Sequence, residues 1–192
     1  MKTAVNIPQI RSKIMSAKKT KLAAMDKLNS ILETEKSRFY DEFNSSLVTR
    51  EIDSGVDSSN ISNTLGGRGN LFTFIGFDSG SSPTESVKEL IRSIRFIRNS
   101  VKLTKLTFSG RAVIPSIEKF ASVSRMPWES GRSWLIDIEK TISGLSSYLY
   151  GKFKTSRSGR GLQNTEMSLS VSYRAVDYFR KMYTQFIKNI QR

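Results

Sequence analysis

Residues 19–43 read KTKLAAMDKLNSILETEKSRFYDEF, and this stretch decides the fold. Its large apolar side chains recur at helical spacing, as expected for one face of an α-helix; they are Leu22, Met25, Leu28, Ile31, Leu32, Phe39 and Phe43. Because neither Gly nor Pro occurs between Gln9 and Ser54, we predict one long helix from about residue 9 or 18 to about residue 50. Such a helix would be roughly 50–65 Å long, so part of it should face another molecule or lie along the rest of the fold.

Three further helices are predicted downstream. The sequence SPTE at residues 82–85 starts the first of them, because it combines a capping Ser, a Pro in the first turn and a Glu three residues after the cap. Its apolar face extends to Ile97. Apolar residues at helical spacing predict another helix over residues 133–150 and a last one from about Tyr173.

Alternating apolar residues predict a small antiparallel sheet. Residues 100–109 form a predicted strand whose phase slips at Lys105, as at a β-bulge. Gly110 is predicted as a turn, and residues 112–115 as the second strand of a hairpin. Residues 70–77, rich in Phe, are predicted as a short strand or a buried extended segment.

Two long segments rich in Gly and Ser separate these elements, at residues 52–70 and 151–165. Loops of this length inside a small domain tend to be functional or disordered. The whole pattern predicts an α+β fold, with a long N-terminal helix plus two or three further helices packed on a small antiparallel β-sheet. We divide the chain into a basic N-terminal arm at residues 1–18 and a single α+β domain at residues 19–192.

The composition argues against an enzyme. The chain has 192 residues with no His and no Cys, which removes the commonest general base, the commonest metal ligand and every thiolate. Asp137 and Glu139 are two residues apart and would diverge on a helix, and Glu85 is explained by its capping role. We therefore predict no catalytic site, no metal site and no cofactor. No apolar run approaches the roughly 18 residues that a membrane span needs, so no membrane partner is predicted either.

The charge balance favours a polyanionic partner. Lys and Arg number 31 against 17 Asp and Glu, a formal net charge of +14, which is typical of proteins that bind nucleic acid or acidic proteins. The candidate contacts are six cations, three near the N-terminus and three on the predicted second helix: Lys18, Lys19, Lys21, Lys88, Arg92 and Arg95. A run of cations on a helix is more often a solvated face, and that alternative stays open. The GGRG at residues 66–69 lacks the Lys of a phosphate-binding loop, and the single GRG at residues 159–161 is a weak nucleic-acid signal.

Three blocks resemble segments of phage virion proteins of the neck and tail-completion type. The first is LVTREIDSG at residues 47–55 with SNISNTLGGRGNLFTFIGF at residues 59–77, and the others are PWESGRSW at residues 127–134 and SRSGRGLQ at residues 156–163. The resemblance implies a small α+β subunit with a long helix, which assembles as a ring between portal and tail. It carries over no catalytic residue.

The resemblance also implies partners and a location. The partners would be copies of the chain, neighbouring portal, neck or tail proteins, and DNA in the channel; the chain would be made in the host cytoplasm and reside in the virion. Head completion, stopper, tail completion and terminator roles all stay open, and a basic nucleic-acid-binding protein is the alternative. The residues expected at interfaces come from the matching blocks: Leu65, Phe72, Phe74, Phe77, Trp128, Arg132, Trp134, Arg157 and Arg160.

Overall fold

The computed structural model describes residues 7–104, 107–127, 131–140 and 173–191. Its helices are α1 (Ile7–Ser16), α2 (Lys18–Ser45), α3 (Leu47–Asp53), α4 (Leu71–Ile75), α5 (Glu85–Arg92), α6 (Ile117–Val123), α7 (Trp134–Asp137) and α8 (Phe179–Ile190). Two strands, β1 (Arg95–Thr104) and β2 (Thr107–Val113), pair as an antiparallel hairpin. The predicted α+β class is therefore confirmed. The predicted loop at 151–165 and the predicted helix beyond residue 140 lie outside the described residues.

The long N-terminal helix is confirmed as α2, which has 28 residues. It does not run on into its neighbours, because the backbone turns extended at Ala17 and at Ser46, each with a ψ of 137°. The second break follows Asn44 and Ser45, whose side chains compete with the backbone for hydrogen bonds inside a helix. As a result α1 and α3 are separate helices at either end of α2.

Aromatic rings join the C-terminal half of α2 to α8. Phe39 stacks on Phe186 with ring centroids 5.2 Å apart, and Phe43 meets Phe179 edge-on at 6.1 Å. Phe120 of α6 closes the cluster, with its ring centroid 4.7 Å from that of Phe179. The C-terminal helix predicted from the apolar spacing is thus present as α8, with its apolar face in the core.

The strand predicted at residues 70–77 is wrong, because this segment forms helix α4. The Asn70 side chain accepts the backbone N–H of Thr73 at 2.9 Å and so caps the N-terminus. Gly76, at a φ of 84°, ends the helix in the left-handed conformation, and the N–H of Phe77 bonds to the carbonyl of Phe72 at 3.2 Å. All five helical side chains are buried, so the apolar run has no period that separates a strand from a helix.

A hairpin is present, but the predicted strand bounds are wrong: residues 100–109, predicted as one strand, contribute to both β1 and β2, and the register pairs Thr104 with Thr107. Gly110, predicted as a turn, instead lies inside β2, directly above an aromatic side chain. A Cβ atom at this position would approach the ring of Phe96 to 2.6 Å and a methyl group of Leu28 on α2 to 3.4 Å. The glycine therefore lets the Phe96 ring pass between the hairpin and α2.

The register of the hairpin has a bulge between Ile97 and Lys102. Ile97 pairs with Arg111 and Lys102 pairs with Ser109, so four residues of β1 face a single residue of β2. The Ser100 hydroxyl fills the gap, accepting the N–H of Arg111 at 2.7 Å. Lys105, the site of the predicted bulge, lies outside the described residues.

Two further helices differ from the prediction. Helix α5 begins at Glu85 and ends at Arg92, so Ile97 lies on β1 and is 39% exposed instead of extending an apolar helix face. Helix α6 is absent from the predicted elements. Its signal is Ser116, whose side chain accepts the N–H of Lys119 at 3.3 Å as an N-terminal cap.

Candidate interaction surfaces

Five of the predicted interface side chains lie in the core of the chain itself. Leu65, Phe72, Phe74, Phe77 and Trp134 are each between 1% and 5% exposed. Phe77 meets Trp134 edge-on with ring centroids 5.8 Å apart. The prediction that these five residues contact another molecule is therefore wrong, because their surface is already used to stabilise the monomer.

A sixth predicted interface residue, Arg132, is held within the chain. Its Nε atom lies 2.8 Å from a carboxylate oxygen of Asp137 on α7. Its carbonyl accepts the N–H of Met126 at 2.9 Å, next to a bridge between Arg125 and Ser133. The other predicted interface residues, Trp128, Arg157 and Arg160, lie outside the described residues.

A buried carboxylate organises the Gly/Ser segment that follows α3. Glu51 is fully buried, and its Oε1 accepts the Asn60 side-chain N–H at 2.9 Å and the Leu71 backbone N–H at 2.7 Å. Its Oε2 accepts the backbone N–H of Ser62 at 2.8 Å. One side chain therefore holds three points of the segment that are distant in sequence.

Two asparagines extend this network. The Asn60 carbonyl oxygen accepts the N–H of Leu65 at 2.9 Å, and the Asn70 amide donates to the carbonyls of Val56 and Ser58 at 3.0 and 2.9 Å. Buried backbone groups must find partners, and here side chains supply them. The predicted long loop at residues 52–70 is therefore a hydrogen-bonded structure, which presents a fixed surface.

The basic helix face predicted from Lys88, Arg92 and Arg95 does not form. Lys88 is buried, with its ammonium 2.6 Å from the carboxylate of Asp53. Arg92 donates to Glu85 and to the Tyr40 hydroxyl, each at 2.6 Å, and these hydrogen bonds raise its pKa. Arg95 lies beyond the end of α5, on β1. Two of the three cations are thus paired with carboxylates of the chain, Lys88 with Asp53 of α3 and Arg92 with Glu85 of the same helix.

The outward face of the hairpin carries cations without such partners. We define this basic ribbon face by five exposed side chains: Arg95, Ile97, Lys102, Arg111 and Val113. The register pairs Arg95 with Val113 and Ile97 with Arg111, which places cationic and apolar side chains opposite one another. Within the described part of the chain, none of its three cations forms an ion pair with a carboxylate.

Helix α1 presents a second exposed surface. Ile7, Ile10 and Ile14, which we call the isoleucine stripe, are 63%, 48% and 57% exposed. No residue of α1 is buried, and the first buried residue of α2 is Leu32. The predicted contact residues Lys18, Lys19 and Lys21 are exposed in the first turn of α2. The start of the structure is therefore a helical arm that is basic and partly apolar.

The three carboxylates considered in the sequence analysis, Glu85, Asp137 and Glu139, form ion pairs. Glu85 pairs with Arg92, Asp137 with Arg132 and Glu139 with Arg180. Burial raises the pKa of Glu139, and hydrogen bonds from Arg180 oppose that shift. Within the described ranges, no group of three His, Cys, Asp or Glu residues could hold a metal ion, and no helix is long and apolar enough to cross a membrane.

Comparisons of the chain with protein-family models, with curated proteins and with solved structures give no match.

Proposed function

We propose that the chain is a non-enzymatic structural subunit of a phage virion, which forms a ring at the neck or head–tail junction. The isoleucine stripe on α1 is the observation that carries the assembly role. The ring and its place in the virion are supported by the resemblance of residues 47–77, 127–134 and 156–163 to phage neck and tail-completion proteins.

The exposed stripe offers apolar surface that another molecule could bury. Burying an Ile side chain stabilises a protein by about 1.5–3 kcal/mol relative to leaving it exposed, and the stripe holds three such side chains. A helix of 10 residues is also marginal in water without tertiary contacts. The spacing i, i+3, i+7 of Ile7, Ile10 and Ile14 is that of a helix that docks in an apolar groove.

Charge indicates what kind of protein provides that groove. Residues 1–25 contain six Lys and Arg and no Asp or Glu. A second copy of the chain also has a net charge of +14, so docking of the arm onto it would bring like charges together. The arm therefore fits a neighbouring virion protein whose apolar groove has an acidic rim.

Size-exclusion chromatography with light scattering tests this function. The chain would be run alone and mixed with the purified portal and tail-end proteins of the same virion, and we expect a ring or a complex of defined mass. The triple variant Ile7→Ser, Ile10→Ser, Ile14→Ser should lose the complex with the neighbour. The control Leu47→Ser with Ile61→Ser, which changes exposed apolar residues elsewhere, should keep it.

Two results would contradict the proposal in different ways. A chain that stays monomeric with every neighbour, and that mass spectrometry does not find in purified virions, is not a virion subunit. A chain that is present in virions, and whose complex survives the stripe substitutions, assembles through another surface.

A further inference from the structure

We infer that the basic ribbon face binds double-stranded DNA through the phosphate backbone, independently of base sequence. This inference is separate from the assembly role and uses a different surface from the isoleucine stripe. It rests on the strand register, on the absence of carboxylates from the sequence of the hairpin, and on the kinds of side chain that the face lacks.

The register brings three cations into a row. Arg111 pairs with Ile97, so it is the diagonal neighbour of Arg95 on the same face of the hairpin. Diagonal neighbours in an antiparallel pair are about 7–8 Å apart. Lys102, opposite Ser109, continues the row beyond the bulge on the same face. The cations thus follow one another along the ribbon, as a line of phosphates requires.

The hairpin is also free of negative charge. From Leu90 to Ile117 the sequence has six Lys and Arg and no Asp or Glu. Just before the hairpin, Lys88 forms an ion pair with Asp53, and Arg92 forms one with Glu85. The three cations of the ribbon face have no such carboxylate in the described structure, so their charge remains available to a polyanion.

The other side chains of the face favour duplex DNA over a single strand or an acidic protein. The aromatic residues Phe96 and Phe108 alternate onto the opposite face of the hairpin, so no described ring on the ribbon face can stack on bases. Protein interfaces are usually anchored by aromatic residues, and no described aromatic side chain lies on this face. Thr107 and Ser109 supply hydroxyls that can donate to phosphate oxygens.

The dimensions agree with this ligand. Paired strands lie about 4.8 Å apart, and the major groove of B-form DNA, about 12 Å wide, admits a two-stranded ribbon. The side chains on the face are cations, hydroxyls and two aliphatic groups. With no described amide or carboxylate on the face to read base edges, the expected binding is electrostatic.

Fluorescence anisotropy with a short labelled DNA duplex, at a series of salt concentrations, tests the inference. The variant Arg95→Gln, Lys102→Gln, Arg111→Gln should bind about tenfold or more weakly at low salt. Its slope of log K against log salt should be shallower by about 3, one unit for each lost phosphate contact. The matched control Arg38→Gln, Arg174→Gln, Lys181→Gln lowers the net charge from +14 to +11 in the same way and should stay within about one unit of the wild-type slope.

Three outcomes would overturn the inference. Equal losses in both triple variants would mean that net charge alone attracts DNA. Unchanged binding in the ribbon variant, with its melting temperature intact by circular dichroism, would mean that the face does not touch DNA. Loss of the complex with virion neighbours, while the DNA salt slope stays at the wild-type value, would make the face a protein interface.

Discussion

Glu51 shows how a single side chain can determine the shape of a surface that the sequence presents as a loop. It is fully buried and accepts hydrogen bonds from Asn60, Ser62 and Leu71, which lie 9 to 20 residues away along the chain. Among the described residues every buried side-chain nitrogen and oxygen has a partner, and both oxygens of Glu51 accept hydrogen bonds. A change at Glu51 must therefore leave a donor without its acceptor.

The substitution Glu51→Gln should destabilise the fold by roughly 1–3 kcal/mol. Glutamine keeps one acceptor oxygen but places an amide N–H₂ where Oε1 or Oε2 now accepts, so two donors face one another. Urea unfolding followed by circular dichroism measures the change. The control Glu89→Gln alters an exposed carboxylate on α5 and should change the free energy of unfolding by no more than about 0.5 kcal/mol. Equal stability of the two variants would contradict the role given to Glu51.

The buried side chain of Tyr178 makes the stability of the fold depend on pH. Its hydroxyl lies 2.6 Å from that of Thr49 in the core, and burial raises its pKa above the ordinary value of about 10. Above that pH the unfolded chain releases the proton while the folded chain keeps it, so stability falls as pH rises. The loss approaches about 1.4 kcal/mol for each pH unit.

The variant Tyr178→Phe should therefore have a flatter stability profile above about pH 10, although its stability at neutral pH is lower by about 1 kcal/mol for the lost hydrogen bond. Urea midpoints on either side of that pH provide the measurement. Tyr173, whose pKa burial also raises, keeps part of the alkaline slope in the variant. A stability profile of the variant as steep as that of the wild type would show that Tyr178 does not cause the loss of stability at alkaline pH.

At the scale of elements, the contact between the hairpin and α2 depends on the absence of a side chain at Gly110. A Cβ there would lie 2.6 Å from the Phe96 ring, so Gly110→Ala should displace the ring and cost about 1–3 kcal/mol. Thermal melting by circular dichroism measures this cost. Ala112→Gly, two residues further along the same face, removes a methyl group and should destabilise by less. A Gly110→Ala protein as stable as the wild type would mean that the ring moves aside freely.

Long elements could be predicted from the sequence and short ones could not. Helices α2 and α8 repeat their apolar spacing over several turns, so Leu32, Phe39 and Phe186 reach the core as expected. Helix α4 is buried on every side, and only Asn70 and Gly76 at its two ends reveal it. The apolar spacing in so short a run does not distinguish a helix from a strand.

The interaction surfaces were less predictable, because they depend on contacts between distant residues. Lys88 looks available in the sequence, and it is occupied only because Asp53 lies beside it in the fold. Arg95, Lys102 and Arg111 share a face only because a bulge sets the strand register. The interface prediction for the aromatic residues was wrong because these side chains are buried in the core. A small domain uses its largest apolar side chains for its own core first.

At the scale of the whole molecule, stability and binding lie in different regions. The core lies among α2 from Leu32 onward, α3 to α8 and their connections, whereas no residue of α1 is buried. In the hairpin, Phe96 and Ala112 pack against the core, and they lie on the face opposite the basic ribbon face. Changes to the isoleucine stripe or to the ribbon face should consequently leave the free energy of unfolding within about 0.5 kcal/mol of the wild type, which urea unfolding would measure.

This separation makes a prediction about the two surfaces together. The stripe variant (Ile7→Ser, Ile10→Ser, Ile14→Ser) should lose the complex with its protein neighbour and keep the DNA salt slope of the wild type. The ribbon variant (Arg95→Gln, Lys102→Gln, Arg111→Gln) should do the reverse, because cations on β1 and β2 contribute nothing to an apolar groove contact on α1. Light scattering measures the complex with the protein neighbour, and anisotropy measures the DNA salt slope. Both measurements would be made on both variants. Substitutions at distant, independent sites have additive effects, so each variant should affect only its own partner. Loss of both activities in either variant would therefore mean that the arm and the hairpin form one surface.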